Sequence, residues 1–93
     1  MGKAKSARIA SGRRKLRKAE ARILQAVLHP VRLDILAVLV DRDASTNELA
    51  EILGEPRSTV RGHVKKLRDS RVIEIADERP RGGAMERYYR TVV

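Results

Sequence analysis

Residues 45–71 read STNELAEILGEPRSTVRGHVKKLRDSR. Ser45-Thr46-Asn47-Glu48 matches the S-x-x-E capping box that opens a helix, and Leu49, Ile52 and Leu53 give that helix its apolar side. Gly54-Glu55-Pro56 stops it. A second helix is expected from about 56 to 70, with Val60, Val64 and Leu67 at i, i+4 and i+7 on one stripe. Around that stripe stand Arg57, Ser58, Thr59, Arg61, Gly62, Lys65 and Lys66. Two short helices joined by a tight turn, apolar sides turned one way and cations the other, can present a helix to the major groove of duplex DNA.

The flanking segments complete this unit. Upstream, Pro30 suits the first turn of a helix, and Val31, Ile35, Leu36, Val38 and Leu39 give that helix a broad apolar face, ending at Asp41-Arg42-Asp43. His29 precedes a proline and is pushed away from helical geometry, so an earlier helix, starting near Arg13, closes at Val27-Leu28. Leu16, Ile23, Leu24 and Val27 form an apolar stripe on it. Downstream, Val72-Ile73-Glu74-Ile75 reads as a strand. Arg79-Pro80-Arg81-Gly82-Gly83 reads as a turn, and Met85 to Val92 as a return strand. The expected fold is mainly α with a small β-hairpin: a winged helix-turn-helix with a three- to four-helix core and a two-stranded wing at 72–92. Residues 1–12 read as a flexible basic arm and 13–93 as one domain.

The chain has 93 residues with 21 Lys and Arg against 12 Asp and Glu. Eight of those cations and none of the acids lie in residues 1–18. The remainder is nearly neutral, so a basic patch on the domain requires segregation across its faces. With two Tyr and no Phe or Trp the core is aliphatic, and there is almost no aromatic platform for single-stranded bases. Of Tyr88 and Tyr89, which alternate along the return strand, one is expected to pack inward. No cysteine is present, which excludes thiolate metal sites and disulfides. The longest strongly apolar run, Ile35 to Val40, is far too short to span a bilayer.

Three segments resemble the ArsR-type winged-helix regulators of bacteria and archaea. His29-Pro30-Val31-Arg32-Leu33-Asp34-Ile35-Leu36 is similar to the family's HPxRxxIL opening. Asn47-Glu48-Leu49-Ala50 followed by Ser58-Thr59-Val60 and His63-Val64-Lys65-Lys66-Leu67 resembles its helix-turn-helix core, and Gly83 to Arg90 its wing return strand. The resemblance implies that Arg57, Ser58, Thr59, Arg61 and Gly62 meet base edges and phosphates. It places Lys65 and Lys66 further along the same helix and Arg79 and Arg81 at the wing tip. Two departures stand out. Arg61-Gly62 replaces a small hydroxyl residue followed by a long polar one, and Ser70-Arg71 occupies a place where the family usually turns on a glycine.

The expected function is a sequence-specific, double-stranded DNA-binding transcriptional regulator, prokaryotic, cytoplasmic and nucleoid-associated. The arm and helix start (Arg13, Arg14, Lys15, Arg17, Lys18) add nonspecific attraction to phosphates. The first helix, through Leu16, Ile23 and Val27, either pairs with its mate in a homodimer or simply joins the core. Alternatives are an RNA- or ribosome-associated basic protein and a protein-interaction winged helix. No cofactor, metal or membrane partner is expected. His29 and His63 lack the convergent ligands that a metal or catalytic site needs, and no catalytic residues or enzyme motif stand out.

Overall fold

The computed structural model describes residues 17–92. Helix α1 (Arg17–Val27) gives way at Leu28-His29 to α2 (Pro30–Asp41). His29 caps α2: it is extended, with φ −146°, and its Nδ1 accepts the Val31 N–H at 3.2 Å. Pro30 then fills the first turn, where its missing N–H costs nothing. A two-residue strand, β1 (Ala44–Ser45), leads directly into α3 (Thr46–Leu53). The expected capping box is complete. Ser45 Oγ accepts the Glu48 N–H at 3.1 Å, and Glu48 Oε1 accepts the Ser45 N–H at 3.3 Å. Gly54, with φ +66°, ends α3, and the Glu55 N–H reaches back to the Ala50 carbonyl at 3.1 Å.

The second helix of the motif, α4 (Arg57–Asp69), lies within one residue of its expected limits. It ends as α3 does, but without a glycine. Arg71 takes the left-handed position at φ +60°, and the Val72 N–H closes on the Leu67 carbonyl at 3.0 Å. A hairpin follows, β2 (Ile73–Arg81) and β3 (Ala84–Thr91).

One expectation is extended here and two are corrected. The wing belongs to a three-stranded antiparallel sheet of order β1-β3-β2, because Ala44 and Ser45 pair with Tyr89 and Tyr88. Two residues are too few for a strand signal in sequence. The turn is also shorter than expected. Arg79, Pro80 and Arg81 stand opposite Glu86, Met85 and Ala84 on β2, and only Gly82-Gly83, both at positive φ, reverse the chain. Pro80 is tolerated because β2 is an edge strand with no ladder on its other side. Lastly, Ile52 is half exposed and Ala50 takes its place on the buried side of α3.

The core is aliphatic apart from Tyr89. Ile35, Leu49, Val60, Leu67 and Ile73 are its fully enclosed centre, joined by Ala26, Leu39, Ala44, Ala50 and Val64. All three residues of the α4 stripe are therefore buried, which fixes the rotation of that helix about its axis. In α1 only Ala26 is buried, while Ile23, Leu24 and, just beyond the helix, Leu28 are exposed. No single helix among the described residues is long and apolar enough to cross a membrane.

A left-handed non-glycine residue costs on the order of 1 kcal/mol. Arg71→Gly is therefore expected to raise the free energy of unfolding by about 0.5–1 kcal/mol. Urea denaturation checks it: the midpoint should rise with the slope unchanged.

Candidate nucleic-acid interface

With Val60, Val64 and Leu67 turned into the core, α4 exposes everything that the sequence singled out on it. Arg57, Ser58, Thr59, Arg61, Gly62, Lys65 and Lys66 are all exposed. Helical spacing sorts them. Arg57, Arg61, Lys65 and Arg68 follow one stripe, and Thr59, His63 and Lys66 lie on the opposite flank. The helix starts at Pro56 with no side-chain cap, so its first amide N–H groups stand free beside the Ser58 and Thr59 hydroxyls. Such an end suits an anion.

The cationic stripe forms one wall of an open groove of about 1110 Å³. Thr46 and Asn47 at the start of α3 line it, with the β2–β3 hairpin opposite. Arg61, Lys65, Arg68, Arg71, Arg81 and Arg87 all reach it, against Asp69, Glu78 and Glu86. Sequence reading missed Thr46, Asn47, Arg71 and Arg87 as site residues because each is unremarkable in one dimension; only the return of the wing beside α4 gathers them.

The two walls differ in charge state. Among the described residues no cation of α4 has a carboxylate within ion-pair distance. The wing arginines are all paired. Arg79 Nε lies 2.8 Å from Asp77 and its guanidinium stacks 4.1 Å over the Tyr88 ring. Arg81 donates to both oxygens of Glu86 at 3.2 and 3.1 Å. Arg87 meets Glu78 at 3.3 Å and Arg90 meets Glu74 at 2.9 Å. The hydrogen bond from Arg79 holds the Asp77 carboxyl below its ordinary range. The Ser45 hydroxyl, followed by Arg81, does the same for Glu86. The arginine heads of these pairs are open to solvent, which screens the attraction, so a stronger anion can take either arginine.

Other sequence candidates fall elsewhere. Arg17 and Lys18 are exposed on α1; Arg13, Arg14, Lys15 and Leu16 lie outside the described residues. Ile23 is exposed and Val27 half-buried. Tyr89 packs inward and Tyr88 lies beneath Arg79, the division expected from their alternation. His63 is half-buried on the far flank of α4, its ring 4.4 Å from that of His29. A group of three or more His, Asp or Glu able to hold a metal is absent among the described residues.

Residues 27–76 match the helix-turn-helix domain family. A stretch of 51 residues is 37% identical to the HTH-type transcriptional regulator KmtR of Mycobacterium tuberculosis, covering 55% of this chain and 39% of that regulator. The fold superposes with a TM-score of 0.73 on the homodimeric winged helix-turn-helix DNA-binding domain of Mb0332 from Mycobacterium bovis, a possible ArsR-family transcriptional regulator. That match is 23% identical and covers 87% of this chain and 70% of the other. The transcriptional repressor BigR of Xylella fastidiosa matches with a TM-score of 0.68 at 26% identity, over 89% of this chain and 77% of its own.

Gly62 is the residue of α4 with the poorest helix propensity. A Cβ built there meets nothing within 4 Å. Gly62→Ala is expected to stabilise the protein by about 0.5–1 kcal/mol, seen as a higher melting temperature. An unchanged or lower melting temperature would contradict this.

Proposed function

Because this chain belongs to the helix-turn-helix domain family, we propose that it is a sequence-specific double-stranded DNA-binding module that regulates transcription. The observation that carries the reading is the row of exposed cations on α4 without carboxylate partners, beside a wing whose cations are already paired. Arg57 or Arg61 donates two hydrogen bonds to a guanine edge in the major groove, worth about 1–3 kcal/mol of discrimination. Ser58, Thr59 and the free amides at the start of α4 hold a phosphate. Lys65 and Lys66 hold the backbone further along. The bare surface of Gly62 lets α4 approach closely, so Gly62→Ala, although stabilising, lowers DNA affinity.

Arg79 and Arg81 exchange Asp77 and Glu86 for phosphates flanking the site. Arg13, Arg14, Lys15, Arg17 and Lys18 add attraction that carries no sequence information. Residues 1–12 act as a basic arm to the domain at 13–93, and the protein works in the cytoplasm at the nucleoid. We further propose a homodimer through α1, with Ile23, Leu24 and Leu28 supplying exposed apolar surface and Leu16 and Val27 extending it. The Mycobacterium bovis neighbour is homodimeric, which supports a dimer but not its interface. Two-fold symmetry then asks for palindromic half-sites about one DNA turn apart.

Selection from a random duplex library at fixed salt tests the reading, and a palindromic motif is the expected result. Against the selected site, Arg61→Ala should lose about 1–3 kcal/mol of binding while affinity for random duplex changes little. An equal loss on both would make Arg61 a phosphate contact. In sedimentation, Leu24→Glu should convert a dimer to a monomer; a wild-type monomer that persists on DNA would remove the dimer.

A further inference from the structure

The only buried charged side chain among the described residues belongs to Arg32, 9% exposed. No carboxylate meets it within ion-pair distance. Its guanidinium is satisfied by neutral acceptors alone. Nη1 donates to the Gln25 and Ala26 carbonyls at 3.2 and 3.0 Å, in the last turn of α1. Nε donates to His63 Nδ1 at 3.1 Å. One side chain on α2 therefore ties the end of α1 to the helix that faces DNA, and the tie to α4 is a lone pair that exists only while Nδ1 is unprotonated.

A proton on His63 Nδ1 would set a donor against a donor and a cation beside a buried cation. The other charged and titratable groups around this imidazole are His29 at the start of α2, Lys66 one turn along α4 and Glu55 in the α3–α4 turn; α1 offers backbone carbonyls. Burial, then His29, Arg32 and Lys66, push the His63 pKa below its ordinary value, and Glu55 alone opposes them. Above about pH 6.5 the imidazole is neutral whether the chain is folded or not. As pH falls below that value the unfolded chain takes up the proton first, so this contribution to stability declines.

We propose that the Arg32–His63 hydrogen bond is a proton-sensitive strut. It positions the DNA-facing helix against α1, and protonation of His63 releases that helix and weakens operator binding. The proposal rests on the DNA-binding reading above, and its sign is opposite to the usual one. A histidine acting as a phosphate contact binds DNA more tightly when protonated, whereas a released strut binds it less tightly.

The test follows binding of the full chain to its selected duplex at constant salt, by fluorescence anisotropy. Affinity should fall between about pH 7.5 and pH 5.5, by at most about tenfold, the ceiling for one proton taken up by a histidine as the tie breaks. In His63→Asn the amide oxygen accepts from Arg32 without titrating, so affinity should hold within about twofold over the same range. His29→Asn, which can still cap α2, should keep the wild-type pH response. Wild-type affinity that is flat or rises on acidification overturns the strut, as does a full pH response in His63→Asn. Should the chain bind no duplex at all, the DNA reading fails, and NMR of the free wild-type protein judges the strut separately. Amide shifts along α4 that move with the His63 titration support it; α4 amides that stay fixed while His63 titrates overturn it.

Discussion

Ser45 is where the halves of this fold are joined. It is fully buried, and two connections meet in it. Its hydroxyl caps α3, and its backbone pairs with Tyr88 as part of β1. The first connection sets where the helix-turn-helix starts. The second makes the wing the continuation of a sheet that already touches α3, instead of a hairpin that must find its own support. Since an isolated two-stranded hairpin is marginal in water, the short β1 strand gives the wing a fixed direction relative to α4. The groove between them depends on that direction.

Electrostatics then divides the labour between the two walls. Among the described residues the α4 cations have no carboxylate within ion-pair distance, so they have little to lose on meeting an anion. The wing arginines are each paired already, three with aligned carboxylate contacts at 2.8–3.1 Å. Those pairs are exposed and weak, so they hold the wing cations in place without removing them from use. They also lower its effective positive charge toward an arbitrary anion, and so favour contacts whose geometry is good over bulk attraction.

Much of this was legible from residues alone. The S-x-x-E box at Ser45, the glycine after Leu53, and Val60, Val64 and Leu67 at helical spacing located α3 and α4 to within a residue, because caps and periodicity are local physics. The reading went astray where a decision depended on distant chain. Ile52 fits the apolar period of α3 but points away from the packed side. Arg79 to Arg81 look like turn residues, yet a two-glycine reversal lets them pair with β3. Arg32, one letter in a familiar opening motif, carries no sign in sequence that it is buried.

The sequence by itself determined the elements, their order and the identity of the exposed face of α4, since each follows from spacing within ten or so residues. It also set the imbalance of charge between residues 1–18 and the rest. The tertiary structure alone decided which cations are free and which are paired, that Ala44-Ser45 is a strand, and that Arg32 bridges α1 to His63. Those are contacts between residues up to 45 positions apart. Their formation depends on the summed packing of the aliphatic core, which no local pattern encodes.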